Sequence, residues 1–289
     1  MNVDINKNDI IFLLEQAIVE DISDGDITSQ SILDPNQDSV AYLKAKQTGI
    51  ISGTKPASIL LEKYTNLDFI LKKQDGNLVD NGDIIMVIKG KTVEILTYER
   101  VLNNIIEHLS GVATYTNKFI QYTKGTKVKI LDTRKTTPGL RKLEKLAVFH
   151  GGGVNHRLGL YDAVLIKENH IKAVGGIKNA IKKVRKSKQY EALNGTPDFF
   201  LEVETESIED VREAIQSKVD RILLDNMNKK EMQQAIELIR STASNILIEI
   251  SGNVDLKCIE GLVQLKPDFI SIGKITHSAP SLDISLIIE

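Results

Sequence analysis

The sequence predicts an α/β protein in two parts: a parallel, barrel-like sheet preceded by a smaller α+β unit. Three observations carry this. Between residues 128 and 272 six short β-branched runs alternate with amphipathic stretches, the order that yields right-handed βαβ units and a parallel sheet. The first hundred residues lack that alternation. Every run in the second part ends in a polar residue or a glycine, at the edge where parallel sheets place their ligands.

The elements follow from local pattern. Residues 8–20 carry apolar side chains at helical spacing, with Asn8 or Asp9 as the N-cap. EDISDGDITSQ after them reads as a turn-rich acidic loop. Val40–Lys46, Asp68–Lys73 and Asp83–Ile88 read as strands and Thr54–Tyr64 as a helix, together a mixed unit of small-domain size. Thr92 to Thr123 is helical in pattern, interrupted near Ser110-Gly111. The strand runs of the second part are Val128–Leu131, Ala163–Ile166, Phe199–Val203, Arg221–Leu224, Ile246–Ile250 and Phe269–Ile272. The helical stretches are Leu140–Phe149, Ala173–Lys186, Ile208–Ser217, Lys229–Ser241 and Leu256–Leu265. Six strands suit a barrel short of the usual eight.

Composition narrows the classes. A chain of 289 residues with 42% apolar and 26% charged residues is ordinary globular protein, large enough to bury a core without disulfide or metal. Lys plus Arg is 37 against 39 acidic residues, a net charge of -2, so no global field draws nucleic acid or an anionic membrane. Cys258 is the only cysteine, which excludes an internal disulfide and a cysteine-rich metal site and suits a reducing, cytoplasmic home. The N-terminus MNVDINKNDI is polar, with neither the basic nor the apolar region of a signal peptide.

The residues just after each run supply the chemistry. Asp132-Thr133-Arg134-Lys135 follows the first and Lys167-Glu168-Asn169-His170 the second. The third contains Glu202 and Glu204; the others end in Asp225-Asn226, Ser251-Gly252-Asn253 and Gly273-Lys274. Arg134, Lys135, Arg157 and Lys167 are cationic and His156 can be, a set that repels itself unless carboxylates or a polyanionic ligand neutralise it. Glu204 and Asp225 form an acidic pair whose natural metal is hard, Mg²⁺ shared with phosphate oxygens. Ser251-Gly252 and Gly273 offer backbone N–H groups at loops entering helices, a phosphate cradle. The sum is a cleft for a carboxylate-bearing molecule and a phosphorylated, Mg²⁺-bound one.

Other motifs carry less. Asp24-Gly25-Asp26 lacks the alternating ligands and closing Glu of a calcium loop. His150-Gly151-Gly152-Gly153 has no G-x-S-x-G partner, and no Walker A or G-x-G-x-x-G occurs. Cys258 reads as a core filler, His108 as a satisfied helix histidine, and Glu202, on the strand face of Glu204, as its supporting partner.

At Asp132–Arg141 the stretch DTRKTTPGLR resembles quinolinate phosphoribosyltransferases, and LEKLAVFHGGGVNHRLGLYDAVLIKENHI at 143–171 continues the match. LEVETES, ILLDNM, EISGNV and DFISIGKITHSAPSLDISL follow in the family order, and EDISDGDITS and ERVLNNIIEHLSGVAT match the N-terminal half. The resemblance implies an incomplete α/β barrel over 111–274 with an N-terminal α/β sandwich domain over 1–110, to which the tail 275–289 returns. It implies transfer of a phosphoribosyl group from 5-phosphoribosyl-1-diphosphate (PRPP) to quinolinate with loss of CO₂, a step of NAD biosynthesis.

Carried over, Arg134, His156 and Arg157 hold the quinolinate carboxylates, and Lys135 and Lys167 lie between quinolinate and pyrophosphate. Glu204 and Asp225 face the ribose hydroxyls and Mg²⁺. Ser251, Gly252, Asn253 and Gly273 cradle phosphate with His277 near it, and Arg100 reaches the neighbouring subunit's site in a homodimer, with higher assemblies left open. Asn253 stands where many members have glycine. Two other readings are a relative associated with molybdenum transport and a non-catalytic, ligand-sensing barrel. Lys135-Thr136-Thr137-Pro138 and the Gly-Val-Asn-His-Arg run favour the quinolinate enzyme over the first, and no charged rim residue is missing, as the second requires.

Overall fold

The computed structural model describes residues 5–243 and 245–289, so the first four residues of the polar N-terminal segment lie outside it. The chain divides into two compact units. One gathers residues up to Asn117 with Thr136–Gly152 and Ile275–Glu289; the other comprises Lys118–Lys135 and Gly153–Lys274.

In the first unit helices α1 (Lys7–Asp21), α2 (Ile27–Ile32), α3 (Thr54–Tyr64), α4 (Thr92–Thr123, whose end enters the other unit) and α5 (Arg141–His150) accompany two antiparallel sheets. The larger sheet has the order β12-β1-β5-β3, from β1 (Asp38–Ala45), β3 (Asp68–Leu71), β5 (Ile84–Lys91) and β12 (Ile284–Ile288). The smaller pairs β2 (Gly49–Ile50) with β4 (Leu78–Val79). Along β1 the side chains of Ala41, Leu43 and Ala45 are buried in alternation, the signature of a sheet with one face on a core. The tail returns as α12 (Lys274–His277) and β12, which runs antiparallel to β1 from Ala41↔Ile288 to Ala45↔Ile284.

Several local expectations change. Asn6, not Asn8 or Asp9, caps α1, its Oδ1 accepting the Asp9 N–H at 2.9 Å. The end of the acidic loop, from Ile27, is α2, because Asp26 accepts the Ser29 N–H at 3.0 Å and starts a helix. Helix α4 runs unbroken through Ser110-Gly111. A mid-helix glycine costs only about 1 kcal/mol, and here it is where other chain approaches: a Cβ at Gly111 would overlap the Pro280 carbonyl. Ser110 Oγ accepts the Ser52 N–H at 2.9 Å and donates to the Ser52 carbonyl at 3.0 Å. Cys258 is exposed and not a core filler.

The resemblance implies a domain line at 110/111, whereas in the structure Thr136–Gly152 group with the N-terminal residues. The buried Glu144 carboxylate explains this grouping. It lies 2.9 Å from His108 Nε2 on α4 and accepts the Thr137 N–H at 3.1 Å, while His150 Nδ1 meets Ser52 Oγ at 2.9 Å.

The second unit is built on six parallel strands: β6 (Lys129–Leu131), β7 (Val164–Ile166), β8 (Leu201–Thr205), β9 (Arg221–Asp225), β10 (Leu247–Ser251) and β11 (Phe269–Ser271). Their order, β6-β11-β10-β9-β8-β7, is the cyclic order of a barrel opened at the β6/β7 seam, the expected incomplete α/β barrel. On its other side β6 carries a bridge from Leu131 to Val154. Helices α6 (Glu168–Val174), α7 (Ile177–Arg185), α8 (Lys188–Leu193), α9 (Ile208–Gln216), α10 (Lys229–Thr242) and α11 (Ile259–Val263) connect the strands. The stretch expected as one helix from Ala173 is split between α6 and α7 by Gly175 and Gly176 at φ 76° and 121°. No described helix is long and apolar enough to cross a membrane.

Candidate active site

Parallel strands entering helices leave their carboxyl ends free for side chains that serve a ligand. Arg134 and Lys135 follow β6, Lys167 follows β7, Glu204 lies in β8, Asp225 ends β9, Ser251 ends β10, and Gly273 follows β11. The second unit thus brings together all the rim residues singled out in the sequence. Arg100, exposed on α4, and His277, whose Nδ1 meets Ser278 Oγ at 2.6 Å, belong to the first unit.

The acidic side of the rim is ordered by partners. Lys167 Nζ donates to Glu204 Oε2 at 2.9 Å, so this cation does have a carboxylate partner. Glu204 is 7% exposed. Burial raises its pKa and the Asp225 charge adds to this, while Lys167 opposes both. Asp225 accepts from Asn226 Nδ2 at 2.6 Å. Two carboxylates at the ends of adjacent strands are hard oxygen donors that fit Mg²⁺ shared with a ligand's phosphates. Lys167 itself is set by a turn in which its N–H donates to His170 Nδ1 at 3.0 Å.

The expected phosphate cradle differs from a helix entrance at one of its two parts. After β10 the next helix begins only at Ile259, so Ser251–Asn253 form a left-handed turn, with Gly252 at φ 102° and Asn253 at φ 49°. Asparagine is among the few side-chain-bearing residues that tolerate this region, which accounts for Asn253 at a glycine-favouring position. Asn253 is exposed. Gly252 has no such latitude: a Cβ there would run into Asn226. Gly252→Ala is expected to destabilise the protein by about 1–3 kcal/mol, read as a lowered Tm, from the backbone conformation and the clash together. An unchanged Tm would show that the turn relaxes freely.

The cationic side is crowded. Arg157 donates from Nη1 to the Ala163 carbonyl at 3.1 Å, and its Nε has no hydrogen-bond partner among the described residues. Burial, and after it the charge of the nearby Arg134, depress its pKa, so two guanidiniums stand close enough to repel. The loop that carries Arg157 is fastened beneath by Asp132, a fully buried residue that in the sequence is only one more polar residue after the first strand run. Its Oδ1 accepts the His156 N–H at 2.8 Å and its Oδ2 accepts from Asn155 Nδ2 at 2.6 Å.

The His156 ring stands among buried groups. Its Nδ1 accepts the Arg157 N–H at 2.7 Å, and its Nε2 lies 3.0 Å from Glu202 and 3.4 Å from Glu249, both fully buried. Glu202 therefore supports His156, not Glu204. Burial and the neighbouring Glu249 push Glu202 up to about 7. For Glu249 burial is outweighed by His156 and Arg221, which hold it down to about 2. Two effects oppose at the imidazole. Burial disfavours its charge, yet Glu249 and Glu202 pull its pKa up to about 10. The main-chain N–H aimed at Nδ1, however, requires a lone pair there. The fixed backbone geometry decides for a ring protonated at Nε2, and charging the ring requires that bond to open.

His156, Glu202 and Glu249 are the one group of metal-ligand type found among the described residues. Arg221 Nη1, 3.0 Å from Glu249, already occupies the place of a cation. Its guanidinium is sandwiched between Phe200 and Phe269 at 4.2 and 4.3 Å. Glu249 and Arg221 had a readable signal: charged residues in otherwise apolar parallel strands, Glu249 two residues before the rim residue Ser251.

This fold and rim define a phosphate- and carboxylate-handling α/β-barrel enzyme. Residues 112–287 match the C-terminal domain of quinolinate phosphoribosyl transferase and residues 26–110 its N-terminal domain. The chain belongs to the quinolinate phosphoribosyltransferase family. It is 42% identical over 278 residues to a probable nicotinate-nucleotide pyrophosphorylase (carboxylating) of Bacillus subtilis strain 168, covering 95% of this chain and 91% of the relative. To the nicotinate-nucleotide pyrophosphorylase (carboxylating) of Mycobacterium leprae it is 35% identical, over 94% of this chain and 95% of the other. The structure of the nicotinate-nucleotide pyrophosphorylase from Francisella tularensis superposes with a TM-score of 0.91 at 35% identity, covering 100% of this chain and 99% of that one.

Proposed function

We propose that the chain joins quinolinate to PRPP and decarboxylates the adduct, forming nicotinate mononucleotide, pyrophosphate and CO₂ in NAD biosynthesis. The observation that carries this reading is the match of both halves of the chain to quinolinate phosphoribosyl transferase domains, on a barrel rim that gathers Arg134, Arg157 and Lys167 for a ligand with adjacent carboxylates. Both carboxylates of quinolinate are taken up here. His156, its ring nitrogens engaged elsewhere, acts through the position of Arg157.

Lys135 and Lys167 face the departing pyrophosphate, the Ser251–Asn253 turn and Gly273 hold phosphate with His277 nearby, and Glu204 and Asp225 face the ribose hydroxyls. Glu204 and Asp225 would also hold Mg²⁺ arriving with PRPP, which when bound neutralises pyrophosphate charge. The C1–O bond to pyrophosphate breaks with its electron pair on oxygen, and the pyridine nitrogen lone pair forms the new bond to C1. The quaternary nitrogen then draws the pair of the C2–carboxylate bond onto C2, CO₂ leaves, and C2 takes up a proton. The protein's part is positioning and charge stabilisation. A homodimer with Arg100 of the partner subunit completing each site is part of the reading.

The test is incubation with quinolinate, PRPP and Mg²⁺, following nicotinate mononucleotide and CO₂. Product is expected to vanish with EDTA and return with Mg²⁺. Nicotinate has one carboxylate where quinolinate has two, leaving part of the Arg134–Arg157 charge unmatched, and its turnover is expected to be far slower. Comparable rates on both acids would contradict the dicarboxylate subsite.

A further inference from the structure

Residues 154–157 form a short loop with an unusual number of buried anchors. Val154 N–H donates to the Ile130 carbonyl at 2.8 Å, and Asp132 N–H to the Val154 carbonyl at 3.2 Å. Asp132 holds Asn155 and the His156 amide from one side. From the other side the His156 ring meets Glu202 on β8 and Glu249 on β10, with Arg221 of β9 between them at 3.0 Å from Glu249. These are three adjacent strands, so the ring stands on the sheet itself. The ring in turn accepts the Arg157 N–H, and the Arg157 guanidinium is held by the Ala163 carbonyl.

Stability does not account for such a network. Buried ionic groups replaced by well-packed apolar residues of similar volume often leave a protein equally or more stable, so their retention asks for another reason. One Glu202 oxygen is met by the His156 ring at 3.0 Å, while the other, Oε1, has no hydrogen-bond partner among the described residues, a cost that a purely structural core avoids. Every described member of the network touches the loop or touches a residue that does.

We propose that Asp132, Glu202, Arg221 and Glu249 are positioning residues that lock the 154–157 loop, and through it the Arg157 guanidinium, in its anion-binding geometry before any ligand arrives. The inference rests on the quinolinate reading of the Arg134–Arg157 pair. Two like-charged guanidiniums stay close only if something other than the ligand holds them, and a preformed pair spares the ligand the cost of ordering it.

The test uses Glu202→Gln and Asp132→Asn in the full-length protein, both nearly isosteric, with kinetics in each substrate. Each is expected to raise KM for quinolinate about tenfold and to leave KM for PRPP within about twofold, because the phosphate cradle stands on other strand ends. Amide hydrogen exchange in the unliganded wild type is the second measurement, and it stands even where a variant fails to fold. The His156 and Arg157 amides, bonded to Asp132 Oδ1 and His156 Nδ1, are expected among the slow loop amides without ligand. An unchanged quinolinate KM, a parallel rise in both KM values, or fast exchange at those amides overturns the positioning role while wild-type turnover of quinolinate stands. A wild type that does not turn over quinolinate overturns the functional reading, and this inference with it.

Discussion

Replacing Lys167 with methionine is expected to lower kcat/KM for quinolinate by about 10²–10³ while the protein stays folded. Lys167 is 46% exposed and stands on a turn after β7, so its side chain supports no core. Its charge is held at the rim by Glu204 at 2.9 Å, where the departing pyrophosphate of the proposed reaction gathers negative charge. Removing one preorganised group of this kind typically costs 10²–10³ in rate, about 3–4 kcal/mol of transition-state stabilisation. The change in stability is much smaller. Glu204 loses its partner, but a pair with one half-exposed member is worth only about 1 kcal/mol. Lys167 also opposes the burial that raises the Glu204 pKa, so in the variant Glu204 protonates at higher pH than before. The double variant Lys167→Met, Glu204→Gln removes the unpaired carboxylate. It should recover the Tm of the wild type and none of its rate. A Lys167→Met enzyme with near-normal kcat/KM refutes the assignment of Lys167 to the site.

What the sequence disclosed and what it hid divide along a physical line. The rim was legible because chemistry interrupts pattern there: Lys167, Asp225 and Gly273 each end an apolar β-branched run, and a run's end is visible in one dimension. The strands were legible for the same reason, and the βα alternation implies that their sheet is parallel. The supports were not. Asp132 was read as one more polar residue after a strand, because nothing in its neighbours announces that it turns inward and binds a loop 23 residues on. Arg221 sits at the first position of β9, where a charge reads as a strand boundary, and only the fold reveals Phe200 and Phe269 on either side of it. The resemblance assigns His156 to the ligand's carboxylates, and nothing in one dimension shows its proximity to Glu202 and Glu249. The helix break expected at Ser110-Gly111 failed in the opposite sense. Local propensity argued for a break, and close approach of Pro280, far along the chain, gives the glycine its reason.

The shared-site arrangement makes the sharpest quantitative expectation. Arg100 lies on α4, exposed, with Glu107 near enough for its carboxylate to feel the charge, and nothing in its own unit needs it for the core. Two-fold dimers are the commonest closed assembly, and in the proposed one each site would take Arg100 from one chain and Lys167 from the other. Arg100→Ala and Lys167→Ala should each be nearly inactive alone. When the two are mixed, dissociated and reassembled in equal amounts, about half of the dimers are hybrids, by random pairing of two equal populations. Each hybrid has one site carrying both substitutions and one carrying neither. One intact site in half of the dimers restores about a quarter of wild-type activity, by the same counting over an isologous pair. The opposite arrangement, Arg100 serving its own chain's site, leaves one substitution in every hybrid site, and no activity returns. Native mass spectrometry must confirm that hybrids have formed, since unmixed homodimers would also stay silent. With hybrids present, silence places Arg100 in its own chain's site and removes the functional need for a dimer, whereas recovery near a quarter fixes both the donor of Arg100 and the number of sites per assembly.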